Sequence, residues 1–431
     1  MRILLIHYRY YEASGPEKYL FNITKLFEEK GHEVIPFSLN YANNKTSLFS
    51  KYFPDPVIPE FHINKNKKSL SLTKKLKIIK NGFFNNQVYN NLSLLIKEHN
   101  PEIAYVLQFG TKLSSSIFDI LNKQKIPVVL RLSDFNLICA KNIFFRDGSV
   151  CTKCIGGKFN SVAHKCVHDS YLQSLIYFGI QKFNDLKHFE KKINAIITPS
   201  KFTLNILTSA KQFENNKFYH IPTFINNKTI WSSNKTLQYQ PKCELKLCYV
   251  GRVAEDKGID ILIDSFRILS SKNLNLQLDI YGNDENDFSK NLKTLIKNHE
   301  LNNINFKGFY PNEKVNKLFK NYHYSVIPSK WFDNMPNSFI ESCISGVPVI
   351  ASRIGSLDEL VQDGFNGFKF EPSNPKSLSK LIENLYEINI TDYNKLCKNS
   401  YDWISKYCDS DKHYFKLNEL FKSLVDEKNY K

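Results

Sequence analysis

Short apolar runs alternate with helix-length amphipathic stretches along both halves of the chain, and this alternation limits the fold more than any single motif does. In the first half the runs fall at Ile3–His7, Glu33–Phe37, Ile103–Leu107, Val128–Leu132 and Ala195–Thr198, with helical patterns such as Lys18–Lys30 and Lys112–Lys123 between them. A second series follows at Leu247–Val250, Leu276–Tyr281, Ile304–Lys307, Tyr324–Ile327 and Val347–Ala351. Strands buried on both faces read as continuous apolar runs, and intervening helices make the crossovers that parallel strands require. The expectation is α/β, with two doubly wound Rossmann-like domains facing a cleft.

Residues 1–225 are read as the first domain, an Asn- and Lys-rich stretch at 226–245 as a linker, and 246–408 as the second domain. The amphipathic end, 409–431, reads as a helix that packs back on the first domain. At 431 residues the chain exceeds what one core usually holds, in keeping with two domains. Apolar residues make up 42% and charged residues 23%, which excludes wholesale disorder. No apolar run approaches the roughly 18 residues of a membrane-spanning helix. The apolar start Met1–Ile6 is too short for a signal peptide and meets His7 and Arg9 at once, so a cytoplasmic protein is expected.

The formal net charge is +17, which favours an anionic partner. A nucleic acid is not expected, because no recognised binding motif accompanies the charge. One basic segment, 65–80, carries Lys65, Lys67, Lys68, Lys74, Lys75, Lys77 and Lys80 among Leu70, Leu72, Leu76 and Ile78. It reads as a surface for peripheral docking on anionic headgroups at the inner face of the cytoplasmic membrane, or as a solvated helix and loop.

The strongest chemical signal runs from Ile327 to Ser352. A strand leads into a loop with Asp333, Asn334, Met335 and Pro336, and a helix starts at about Asn337 and Ser338 with Glu341 one turn inside it. Unpaired amides at a helix start, with the dipole behind them, bind phosphate. Upstream, Gly251-Arg252 and Lys257-Gly258 place two cations in another strand-to-helix loop, suited to a pyrophosphate.

In this order the segments resemble the retaining glycosyltransferases of family four, which have the GT-B fold (the group 1 glycosyltransferases). The C-terminal elements of the resemblance are Gly-Arg-x4-Lys-Gly at 251–258, Ile-Tyr-Gly at 280–282, Phe-Lys-Gly-Phe at 306–309 and the acid-x7-Glu pair at 333–341. It implies transfer of a hexose-type sugar from a nucleoside diphosphate sugar to a glycan or lipid-linked glycan, as in polysaccharide or lipopolysaccharide biosynthesis. Arg252 and Lys257 would neutralise the diphosphate, Glu341 would accept the ribose hydroxyls, and Asp333 would orient the sugar. Asn334 to Ser338 would line the phosphate and sugar, and residues near Gly282 and Phe309 would border the base. Gly15 would approach the donor from the first domain, and Arg131, Ser133 and Asp134 would face the acceptor.

Some family positions differ here. Asp333 replaces the usual Glu, Gly15 remains of a glycine pair, and Ser133 stands where a histidine is common. The missing histidine favours a rival reading, a non-catalytic nucleotide-sugar-binding or scaffold homologue; the intact cations and acids favour the enzyme. No catalytic cofactor is expected. Cys139-x11-Cys151-x2-Cys154-x11-Cys166 offers four thiols in a Gly- and Lys-rich insertion at 139–166, with His164 and His168 as substitute ligands. Structural zinc and four packed thiols are both open readings.

Overall fold

The computed structural model describes residues 1–59, 70–225, 239–311 and 314–429. The chain forms two compact units. The first gathers the described residues of Met1–Asn142, Thr152–Asn226 and Ser410–Lys431, and the second those of Ile143–Cys151 and Asn227–Asp409.

The strands, in chain order, are β1 (Arg2–His7), β2 (Glu33–Phe37), β3 (Ile103–Gln108), β4 (Val128–Arg131), the two-residue β5 (Phe145–Arg146) and β6 (Ser149–Val150), β7 (Ala195–Thr198) and β8 (Phe218–His220). The second series is β9 (Leu245–Val250), β10 (Leu276–Tyr281), β11 (Ile304–Gly308), β12 (Tyr324–Ile327), β13 (Val349–Ser352) and β14 (Gly367–Phe370). The first unit holds a six-stranded sheet in the order β2-β1-β3-β4-β7-β8, and the second a six-stranded sheet in the order β11-β10-β9-β12-β13-β14. Every pairing within the two sheets is parallel.

Both sheets are covered on two faces. In β9, Leu247 and Tyr249 join a large core with Phe266, Leu278 and Ile280, while Cys248 on the opposite face packs with Val315, Phe319, Tyr322 and Val347. In the first unit, helix Gly15–Glu29 buries Tyr19, Leu20, Ile23, Leu26 and Phe27, one stripe at helical spacing, with Pro16 at its first turn. Helix Ser410–Asn429 belongs to the same unit, with Leu417, Leu420, Phe421 and Leu424 buried and Phe421 lying 5.7 Å from Phe27, ring to ring.

Doubly wound sheets bind ligands beyond the carboxyl ends of their strands, where the strand order reverses. In the second unit that place lies between β9 and β12; in the first it lies between β1 and β3.

The insertion at 139–166 is divided, which corrects its reading as one piece of the first domain. The β5–β6 hairpin is too short for a core of its own. Instead Ile143–Cys151 clusters with the second unit, where Phe144 is fully buried and its ring lies 6.4 Å from that of Phe332. The lysines at 65, 67 and 68 and much of the 226–245 linker lie outside the described residues.

Candidate active site

At the reversal point of the second sheet, β9 runs into the loop of Gly251, Arg252 and Lys257, and β12 runs into the loop of Asp333. Gly258 makes their approach possible. Its φ is +70°, and a Cβ placed there would sit 1.8 Å from the carbonyl oxygen of Pro328. Only a residue without a side chain lets the two loops close to that distance. Gly282 acts likewise at the end of β10, where a Cβ would meet the carbonyl oxygen of Gly251 at 2.0 Å.

The close approach brings Lys257 and Asp333 together. Lys257 Nζ donates to Asp333 Oδ1 at 2.8 Å, with the two side chains 17% and 7% exposed. The ammonium also lies 4.5 Å from the ring centroid of Trp331. Ser329 Oγ donates to the second carboxylate oxygen, Asp333 Oδ2, and Ser356 Oγ donates to the Asp333 carbonyl at 2.7 Å. The acid is thus held at both ends. Arg252 is more open: its guanidinium bonds Asp256 Oδ2 at 2.9 Å, and its side chain is 65% exposed.

Helix Asn337–Ile344 begins directly after Pro336, whose carbonyl accepts from Phe339 N–H at 3.2 Å and Ile340 N–H at 3.4 Å. The amides of Asn337 and Ser338 precede those first intrahelical bonds, at the positive end of the dipole. Glu341 is half-buried one turn along this helix, Met335 is half-buried, and Asn334 is buried. Phe309, just beyond β11, is 73% exposed.

The remaining expected residues lie in the first unit. Gly15 opens helix Gly15–Glu29, where Ser14 Oγ donates to Glu17 Oε2 at 2.6 Å. Arg131 is buried and engaged: it donates to Ser133 Oγ at 2.9 Å and Thr223 Oγ1 at 2.8 Å, and lies 3.8 Å from the ring centroid of Tyr19. Ser133 is half-buried. Asp134 accepts from the Asn136 amide at 3.0 Å and from Gln108 Nε2 at 3.4 Å, and burial pushes its carboxyl up to about 6.

Sequence reasoning passed over His7. It ends β1 opposite Gln108 of β3, is buried, and has Nε2 3.9 Å from Glu17 Oε1. Burial lowers its pKa to about 4, the nearby Glu17 opposing that shift, so the ring is neutral at pH 7. A histidine closing an apolar strand was the signal available. Ser329 and Trp331, which hold Asp333 and Lys257, also carried no motif of their own.

The structural-zinc reading of the four insertion cysteines stays a proposal. Cys139 and Cys154 are buried and Cys151 and Cys166 half-buried, and among the described residues no three His, Cys, Asp or Glu side chains gather around one point. Other contacts hold the insertion. Lys158 pairs with Asp185 at 2.8 Å, Phe159 packs on Phe178 at 5.4 Å, and Asn160 bonds the carbonyls of Lys153 and Gly157. His164 bonds Lys153 Nζ at 3.3 Å, and His168 is in the left-handed region at φ +50°.

Residues 238–403 match the family model described as glycosyl transferases group 1. The match spans most of the second unit. An uncharacterised glycosyltransferase of Methanocaldococcus jannaschii is 25% identical over 296 residues, 63% of this chain and 72% of that protein. A second one from the same organism is 26% identical over 41% of this chain and 48% of its own length. The capsular polysaccharide biosynthesis glycosyltransferase CapM of Staphylococcus aureus is 30% identical over 32% of this chain and 35% of its own length. For these last two the shared stretch is half of the relative or less. Among solved structures, the sucrose-phosphate synthase of Thermosynechococcus elongatus has a TM-score of 0.68 at 15% identity, covering 99% of both chains. A glycosyltransferase of Rickettsia africae has a TM-score of 0.66 at 16% identity, covering 98% of both. The two parallel six-stranded sheets thus share the GT-B fold of these structures.

Proposed function

We propose that the chain is a retaining glycosyltransferase of polysaccharide biosynthesis, which moves a sugar from a nucleoside diphosphate sugar to a glycan or lipid-linked glycan. The observation that carries this reading is the convergence of Lys257, Asp333 and the start of helix Asn337–Ile344 at the reversal point of the second sheet. The name of CapM supports the polysaccharide role, and the complex of a structurally similar Anabaena protein with UDP-glucose, at a TM-score of 0.65 and 17% identity, supports the donor class.

A donor diphosphate would lie over the amides of Asn337 and Ser338 and draw Lys257 and Arg252 from their present acids, Asp333 and Asp256. As the bond to the sugar breaks, negative charge grows on the leaving phosphate, and the two cations stabilise it most in that state. Freed of Lys257, Asp333 would face the sugar hydroxyls, and Glu341 would take the ribose hydroxyls. The departing phosphate oxygen would accept the acceptor's proton, so the scheme needs no histidine at position 133 and transfers with retention. Gly251, Gly282 and Phe309 would border the base, and the first unit would hold the acceptor.

The charge of helix Leu72–Phe83 supports peripheral membrane contact. Leu72 and Leu76 are 72% and 58% exposed beside exposed Lys74, Lys75, Lys77 and Lys80. A panel of nucleoside diphosphate sugars tests the function. One donor should raise the thermal transition and be hydrolysed slowly by the wild type, and Lys257→Gln should abolish both effects. A panel in which no donor does either contradicts the proposal.

A further inference from the structure

The hairpin β5–β6 holds none of the expected donor residues, yet it touches both donor loops. Its turn is Asp147-Gly148, with φ of +52° and +73°, the left-handed two-residue turn that closes a tight hairpin. Phe145 pairs with Val150 and Arg146 with Ser149, and the Cys151 amide donates to the Phe144 carbonyl at 2.7 Å. So short a hairpin is marginal alone, and its place is set by what it packs on. At the tip, a Cβ on Gly148 would meet Glu255 Oε1, in the loop between Arg252 and Lys257, at 3.4 Å. At the base, the Phe144 ring meets that of Phe332 edge to face, 6.4 Å apart at 70°, next in sequence to Asp333.

The backbone is held firmly here. Phe144 is fully buried and sits at φ +47°, a region that a bulky residue enters at a cost and keeps only where its surroundings fix it. Phe332 is confined as well: a Cβ on Gly355 would lie 3.1 Å from its Cα and 3.4 Å from its ring. Asp333 follows, its carbonyl accepting from Ser356 Oγ at 2.7 Å and its carboxylate from Lys257 Nζ at 2.8 Å. Removing the Phe144 ring would leave a void against Phe332. The loop would relax into that void and carry Asp333 away from Lys257.

We propose that Phe144 is a positioning residue of the donor site, which holds Asp333 at Lys257 by packing on Phe332. The hairpin is then a strap on the donor loops, drawn from a stretch whose flanking residues, up to Asn142 and from Thr152, belong to the first unit. That the strap serves sugar transfer rests on the glycosyltransferase reading; that Phe144 sets the Lys257–Asp333 pair does not.

A double-mutant cycle on the full chain tests it. Denaturant unfolding of the wild type, Asp333→Asn, Lys257→Met and the double variant gives the coupling between the two side chains, and the cycle is repeated with Phe144→Ala. The coupling, expressed as an equilibrium constant, should fall about tenfold with Phe144→Ala and stay within about threefold of wild type with Phe144→Leu, which refills the space. Phe144→Val stands in should Phe144→Ala not fold. A merely structural role would lower the stability of all four proteins alike and leave the coupling unmoved, and that result would overturn the proposal. With the nucleotide sugar that the wild type hydrolyses, Phe144→Ala should also lower turnover about tenfold while the affinity for UDP stays within about twofold. If the wild type hydrolyses none, the donor reading fails and the coupling still decides this one.

Discussion

Asp333→Asn is the perturbation whose size follows most directly from the geometry. It keeps the shape of the side chain and the Ser329 contact but removes the charge opposite Lys257 at 2.8 Å. Removing one partner of a buried pair costs about 3–5 kcal/mol, because the other charge stays behind uncompensated. Here Lys257 is 17% exposed and rests on Trp331, which returns about 1 kcal/mol. The expected loss is therefore about 2–4 kcal/mol, a fall of about 5–15 °C in the transition of a unit this size. The double variant Asp333→Asn with Lys257→Met should recover part of that loss, since no lone charge remains. Denaturant unfolding of the wild type, both singles and the double gives the coupling directly. A single variant within about 0.5 kcal/mol of wild type, or a double variant whose loss is the plain sum of the singles, would refute the reasoning.

Three further outcomes follow. Glu341→Ala should weaken nucleotide binding about tenfold in a titration while leaving the melting temperature in place, because Glu341 is half-buried at the start of its helix. Gly258→Ala should cost about 2–4 kcal/mol in denaturant unfolding, combining the strained φ of +70° with the 1.8 Å approach to Pro328, and should abolish nucleotide binding. Asp134 predicts a pH effect of defined sign. Its carboxyl moves from an ordinary 3.8 to about 6 in the fold, so the native state holds the extra proton and this group's contribution falls as pH rises through that window. His7 and His413, lowered by burial to about 4 and about 3, act oppositely and remove stability as pH falls below 6.5. Asp134→Asn should therefore gain on wild type by about 1–2 kcal/mol at pH 7 and not at pH 4, the full displacement being reduced by partial exposure. A constant difference across that range in pH-dependent melts would contradict the assignment.

The architecture was legible because parallel strands covered on both faces read as near-continuous apolar runs, and runs such as Ile3–Ile6 and Val349–Ala351 had no other use. The edge strands β8 and β14 went unread, since Phe218–His220 and Gly367–Phe370 are short and half-exposed and have no such signature. Lys112–Lys123 read as one helix but is two, Gly110–Leu113 and Ser116–Lys123, broken at Ser114 with φ +58°. The start of helix Asn337–Ile344 was readable from Pro336, which cannot continue a helix from before its first turn. The Lys257–Asp333 pair was not readable, because it depends on two loops closing over Gly258, a distance no local pattern encodes. The seat of the β5–β6 hairpin was not readable for the same reason: the partner of Phe144 is Phe332, far along the chain.

The measurement that bears most directly on the donor site is hydrogen exchange of the full chain with and without the nucleotide sugar that stabilises it. The account predicts slowed exchange in peptides covering 251–258 and 333–341, with little change in the outer strands β11 and β14. Protection confined to other peptides, or none at saturating donor, would contradict it.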